Sequence, residues 1–228
     1  MLYQDIVEAI FLSRENRFIA KVLIAGVEET VHVKNTGRCK ELLLPGAVVI
    51  LQRSGNPLRK TAYSLIAVYK GDRLINMDSQ ITPPVVREAL EQGLVGEFPG
   101  ITRVRSEVKF GESRFDLYFE QGDQRGFIEV KGVTLEQEGQ VLFPDAPTIR
   151  GTRHVREMMS AVDQGYLGCI FFLIQMKGVS HFTPNQLMDP PFAQALREAA
   201  QRGVLILAYD CRVKPGEITL GERVEVRL

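Results

Sequence analysis

Residues 114–133 read "RFDLYFEQGDQRGFIEVKGV". Apolar and polar residues alternate on both sides of the glycine-containing "QGDQRG", the period-two pattern of a β-hairpin. Alternation puts Glu129 and Lys131 on one face of their strand and Val130 on the other. With Gln121 paired to Gly126, Asp116 falls opposite Lys131 and Glu129 opposite Tyr118. Asp116 and Glu129 are then diagonal neighbours, with Cα atoms about 7 to 8 Å apart. Any register whose paired numbers sum to an odd value keeps Asp116, Glu129 and Lys131 on one face. A hairpin needs none of these three charges.

Two carboxylates within reach of each other repel unless a proton or a cation lies between them, and a hard oxygen site with retained waters suits Mg²⁺, or Mn²⁺ in its place. Such an ion lowers the pKa of a bound water and balances the charge of a phosphoryl transition state. Lys131 would then orient the attacking water or stabilise the developing charge. The plain alternative is a solvated ladder with Lys131 between two acids, worth under about 1 kcal/mol.

Outward from the hairpin, the C-terminal part reads as helix, three strands, helix, strand, helix, strand. The helices are "PPVVREALEQGLV", "TIRGTRHVREMMSAVDQG" and "PFAQALREAAQRG", and the apolar runs "GCIFFLIQM" and "VLILAYD" are strands buried on both faces. This order predicts a mixed α/β sheet flanked by helices. From Arg17 to about Tyr69, four short apolar runs separated by turn signals predict a small all-β unit, which a five-stranded OB-like barrel fits. The paired prolines after "INMDSQIT" stop the strand pattern and suit a helix start. The expected domains are therefore 1–80 and 81–228.

Composition fits a globular protein: of 228 residues, 45% are hydrophobic and 25% charged. The N-terminus lacks a basic signal-peptide region, and the longest apolar run is too short to span a bilayer. Cys39, Cys169 and Cys211 have neither zinc-site nor disulfide spacing, so they read as reduced thiols in a cytoplasm. Net charge is zero, but residues 1–75 hold 11 Lys and Arg against 7 Asp and Glu. The first third can favour phosphates and the remainder a cation.

In "KNTGRCK", Thr36 and Gly37 sit at a turn flanked by Lys34, Arg38 and Lys40. The glycine permits close backbone approach to phosphate, and the cations supply sequence-independent affinity. A polar turn with solvated charges is the other reading. On the second helix Arg150, His154 and Glu157 share a face by their spacing, with Arg153 and Arg156 beside it. That face is either a phosphate clamp or a solvated surface. His32 and His181 read as structural, and Tyr63, Tyr69 and Phe18 as either stacking platforms or core.

"FD" followed after a short hairpin by "EVK" resembles the PD-(D/E)XK nuclease motif, and the surrounding order of elements is similar to that superfamily's core. Phe115 stands where the motif has proline. The resemblance implies catalytic roles for Asp116, Glu129 and Lys131, secondary support from Glu88 on the preceding helix, and a metal set of Asp116, Glu129 and Val130. "HVKNTGRCKELLLPG", "SRFDLYFE", "FIEVKGVTL", "FPDAPTIRGTRHVREM" and "LAYDCRV" together resemble the sugar fermentation stimulation protein A (SfsA) family. That resemblance implies an OB-like N-terminal domain, a nuclease-like C-terminal domain and DNA binding. The expected function is non-specific DNA binding with Mg²⁺-dependent phosphodiester hydrolysis, RNA remaining open as a substrate. The alternative is a non-catalytic regulator of sugar utilisation genes that retains a nuclease fold.

Overall fold

The computed structural model describes residues 1–35 and 37–228. The N-terminal sheet is built from β1 (Ile6–Arg14), β2 (Ile19–Ile24), β3 (Val27–Val33), β4 (Val48–Arg53), β5 (Tyr63–Lys70) and β6 (Arg73–Asn76), in the order β3-β2-β1-β4-β5-β6. A parallel pairing of His32 with Ser64 and Val33 with Leu65 joins β3 to β5 and closes a five-stranded barrel. Closure removes the sheet edges, and alternate side chains such as Ala20, Val22, Val31, Val49 and Leu65 fill the interior. The sequence reading began this unit at Arg17 and so left out β1. In the structure β1 lies between β2 and β4, with Ala9 and Phe11 buried and Glu8 turned to solvent.

The C-terminal part begins with α1 (Thr82–Glu91), whose Pro83 and Pro84 occupy the first turn, where no N–H is needed. There follow β7 (Ile101–Phe110), β8 (Ser113–Gln121), β9 (Gln124–Val133), β10 (Leu135–Gln137), β11 (Gln140–Phe143), α2 (Ile149–Asp163), β12 (Leu167–Ile174), β13 (His181–Pro184), α3 (Pro190–Gln201), β14 (Leu205–Lys214), β15 (Glu217–Arg223) and β16 (Glu225–Val226). The main sheet has the order β15-β14-β12-β9-β8-β7, with β9, β12 and β14 mutually parallel and the outer pairs antiparallel. β10, β11, β13 and β16 form a separate small sheet that the sequence did not suggest.

Helices cover both faces of the main sheet. Val85, Val86, Ala89 and Leu90 of α1 pack with Leu117, Phe119, Ile128 and Phe171. Val155, Met158 and Met159 of α2 pack with Phe115, Phe127, Ile170 and Phe172 on the opposite face. Each such large side chain contributes about 1.5–3 kcal/mol by burial. The α2 N-terminus is capped by Thr148 Oγ1, which accepts the Gly151 N–H at 2.9 Å.

Gln121 pairs with Gln124, so the hairpin loop is the two residues Gly122 and Asp123, with Gly122 at a φ of 56°. The register differs by two residues from the expected one. Its sum stays odd, so the predicted face is unchanged while the partners move. The β8–β9 ladder is recorded as far as Leu117 with Ile128, and one further step sets Asp116 across from Glu129 rather than diagonal to it.

Candidate functional site

At the end of that ladder Asp116 Oδ2 accepts the Val130 N–H at 2.7 Å. In a strand the N–H and C=O of one residue point to the same edge, so the Val130 carbonyl also faces Asp116. Asp116, Glu129, Val130 and Lys131 line one cavity of about 330 Å³. Its other wall is made by Asn35, Gly37 and Ser79 from the N-terminal half, and Asp145 and Arg150 complete the rim. The cavity therefore lies where the barrel meets the mixed sheet.

Glu129 is 3% exposed. Its Oε1 takes the Lys131 ammonium at 2.5 Å and also bonds to His154 Nδ1. Its Oε2 is buried with no partner among the described residues. Burial pushes the Glu129 pKa up, but Lys131 and His154 outweigh that and hold it below the ordinary value. Asp116 behaves oppositely: burial first, then the Glu129 charge, raise its carboxyl to about 7. One acid is thus fixed as a carboxylate and its neighbour is poised near neutrality, a division typical of sites that hold a proton or a cation.

The donor chemistry fits a hard divalent cation. A buried, unpartnered carboxylate oxygen, a second carboxylate and a strand carbonyl are the oxygen ligands such an ion takes, with water filling the rest. Among the described residues no cluster of three His, Cys, Asp or Glu side chains could hold a metal, so any ion here uses these two acids and backbone or water oxygens.

The remaining sequence candidates scatter. Glu88 stands apart from the cavity lining and binds the Met1 ammonium at 2.9 Å, on the side of α1 that meets β15. His154 is 2% exposed, so it is a buried partner of Glu129 and cannot reach a phosphate from solvent. Arg150 lines the cavity, and its Nε donates to His154 Nε2 at 3.3 Å. Arg153 is exposed and lines a different surface hollow with Ile149 and Arg156. Lys34 pairs with buried Asp78 at 3.0 Å, whereas Arg38 and Lys40 line an adjoining hollow of about 660 Å³. Thr36 lies outside the described residues.

Sequence reasoning missed the residues that join the two halves. Arg14 donates to the carbonyls of Arg17, Asn35, Gly37 and Arg38, fixing the loop after β3. Asp145 Oδ2 then accepts the N–H groups of Arg38, at 2.7 Å, and Cys39, at 3.4 Å. Gln175 Nε2 bridges Asn76 Oδ1 and the Asp78 carbonyl, which gives Asn76 a structural place at the junction. Asp145 lies in "FPDAPTIRG", within a stretch that carries the family resemblance, but no local periodicity marks it.

Family models match almost the whole length. Residues 12–77 match the SfsA N-terminal OB domain, and residues 80–217 match the sugar fermentation stimulation protein RE domain. The chain belongs to the sugar fermentation stimulation protein family. A homolog of this family from Alkaliphilus oremlandii is 57% identical over 99% of this chain and 98% of its own, and one from Ruminiclostridium cellulolyticum is 52% identical over the full length of both. The solved structure of Pyrococcus furiosus SfsA in complex with Ca²⁺ is 29% identical, covers 100% of this chain and 98% of its own, and superposes with a TM-score of 0.93. The SfsA architecture, an OB barrel followed by a mixed sheet with three helices, is the fold of this chain. No helix among the described residues is long and apolar enough to cross a membrane.

Proposed function

We propose that the protein binds nucleic acid and hydrolyses its phosphodiester bonds with Mg²⁺ or Mn²⁺ held by Asp116, Glu129 and the Val130 carbonyl. The observation that carries this reading is the buried, unpartnered Glu129 Oε2 in the same cavity as a second acid whose carboxyl is raised to about 7. The P. furiosus relative, described as a Ca²⁺ complex, supports an oxygen-seeking divalent ion in this family. When bound, the ion would supply charge neutralisation and a water of lowered pKa.

The chain's own groups have distinct tasks. Glu129, clamped by His154 and Lys131, presents a fixed negative oxygen. Asp116 yields its proton to the solvent when a cation enters. The Lys131 ammonium, with its side chain 14% exposed, projects into the cavity and stabilises negative charge on a phosphoryl group. Arg150 at the rim gives a further contact to phosphate. The exposed Arg38 and Lys40 add sequence-independent affinity.

The test is incubation of labelled single- and double-stranded DNA and RNA with wild type, Asp116→Ala and Lys131→Ala, in Mg²⁺, Mn²⁺ or chelator. Metal-dependent cleavage by the wild type, abolished by Asp116→Ala with binding retained in chelator, supports the reading. A wild type that binds but cuts nothing under any metal makes the protein a binding module, and its acids a structural cation site.

A further inference from the structure

The deep cavity is bordered by a second hollow. Leu135, Leu142 and Asp145 line both it and the shallower hollow beside it, so the two adjoin. We propose that this joint path takes one single strand of nucleic acid, the reacting phosphodiester lying in the deep part and a neighbouring nucleotide in the shallow part. The position of the reacting bond rests on the proposed hydrolysis; the binding of a strand along the path does not.

The deep part has room for a nucleotide-sized group and little more: about 330 Å³, partly open to solvent and walled by the barrel loop at Asn35 and Gly37 on one side and the β8–β9 hairpin on the other. Glu129 at its base is 3% exposed. A duplex is a stiff, stacked rod, and one of its phosphates reaches such depth only if the strand unpairs and leaves the stack. A single strand has no such penalty.

The shallow part carries the chemistry of nucleotide contact. Arg38 and Lys40 supply positive charge at the mouth, Gln137 and Gln140 offer amide donors and acceptors, and Met188 and Leu187 give apolar surface, Leu187 being 97% exposed. Cations for phosphates, amides for base edges and apolar surface against a base out of its stack are contacts that an unpaired nucleotide can use. The same lining holds two acids, Glu41 and Asp145, of which Asp145 is engaged by the Arg38 and Cys39 N–H groups; on the barrel loop Lys34 is spent on Asp78, which leaves Arg38 and Lys40 as the cations of the hollow.

The experiment measures binding by fluorescence anisotropy in chelator, so it does not depend on cleavage. The probes are a single-stranded DNA of about 12 nucleotides, within the range an OB-type protein covers, a blunt duplex of the same sequence, and that duplex with a single-stranded tail. The full chain is compared with Lys40→Glu and Leu187→Ser, both altered at exposed side chains, with thermal melts confirming the fold.

The single strand and the tailed duplex should bind at least about tenfold tighter than the blunt duplex. Lys40→Glu and Leu187→Ser should each weaken the first two several-fold and leave the blunt duplex nearly unchanged. A blunt duplex that binds as tightly as the single strand overturns the proposal. So does a Lys40→Glu loss equal on all three probes, which marks a general charge effect, or a Leu187→Ser variant that binds the single strand as wild type does. Absence of cleavage in Mg²⁺ with the single-strand preference intact would sink the hydrolytic reading and leave the path standing.

Discussion

The Arg38 N–H donates to Asp145 Oδ2 at 2.7 Å across 107 residues of chain. This bond fastens a loop of the barrel to the rim of a cavity whose acids come from the other half of the protein. A Cβ added to Gly37 would stand 2.5 Å from the same Asp145 oxygen and 2.8 Å from Asn35 Oδ1, so any other residue has to push these two side chains off the bonds they hold to the loop.

Asp145→Ala should therefore lower stability by about 1–3 kcal/mol, because two backbone N–H groups lose their acceptor. For a chain of this size that is a fall of about 2–4 °C in Tm per kcal/mol. Gly37→Ala should do similar damage by pushing the loop away. Calorimetry on both variants checks this, and unchanged melting would mean the loop does not depend on Asp145.

Burial and the Glu129 charge raise the Asp116 carboxyl from 3.8 to about 7, so between those values the folded protein holds a proton that the unfolded chain has released. That contribution favours folding below pH 3.8 and is lost as pH rises through about 7. Asp116→Asn, which keeps an acceptor for the Val130 N–H, should then raise Tm in chelator by several degrees at about pH 8 and by little at about pH 4. Mg²⁺ should stabilise the wild type, more at the higher pH, and leave the variant unmoved. Equal melting of variant and wild type at both pH values would refute the raised carboxyl.

Lys131→Ala removes the ammonium that neutralises buried Glu129, so cleavage should fall by at least about a hundredfold if that charge stabilises the transition state. Binding in chelator should weaken only slightly. Single-turnover kinetics beside anisotropy separates the two effects.

The loop cations should divide. Each neutralised phosphate contributes a log-log salt slope of roughly −0.7 on a single strand. Arg38→Glu should make the slope shallower. Lys34→Ala should leave it alone but cost stability, since Asp78, 2% exposed, loses its partner. A salt slope reduced by Lys34→Ala would place that lysine on the nucleic acid after all.

The parts legible in the sequence were those fixed by local pattern. Strict alternation from Arg114 to Val133 gave the face of the hairpin, and the unbroken apolar run of β12 gave a strand buried on both sides. β1 was missed because "IVEAIFLSR" packs apolar residues too densely for clean alternation. β10, β11, β13 and β16, at two to four residues each, are too short to carry a period. Glu88 shows the limit of a motif: its helix was read correctly, yet which face of α1 meets the hairpin is decided by packing. His154 was expected at a surface, and the carboxylate of Glu129 draws it inward. Asn35, Asp145 and Gln175 meet only after folding, from separations that no window along the chain can see.

Closing the cavity with two distant segments has an evolutionary consequence. The acids stand on a hairpin held in register between antiparallel β7 and parallel β12, whereas one wall of the cavity is a surface loop of the barrel. Drift in that loop can retune what is admitted while the reactive groups stay untouched, much as a lock can be rekeyed without replacing the bolt. On the proposed reading, variation among relatives in the strand they take should track the loop after β3 and leave the hairpin constant.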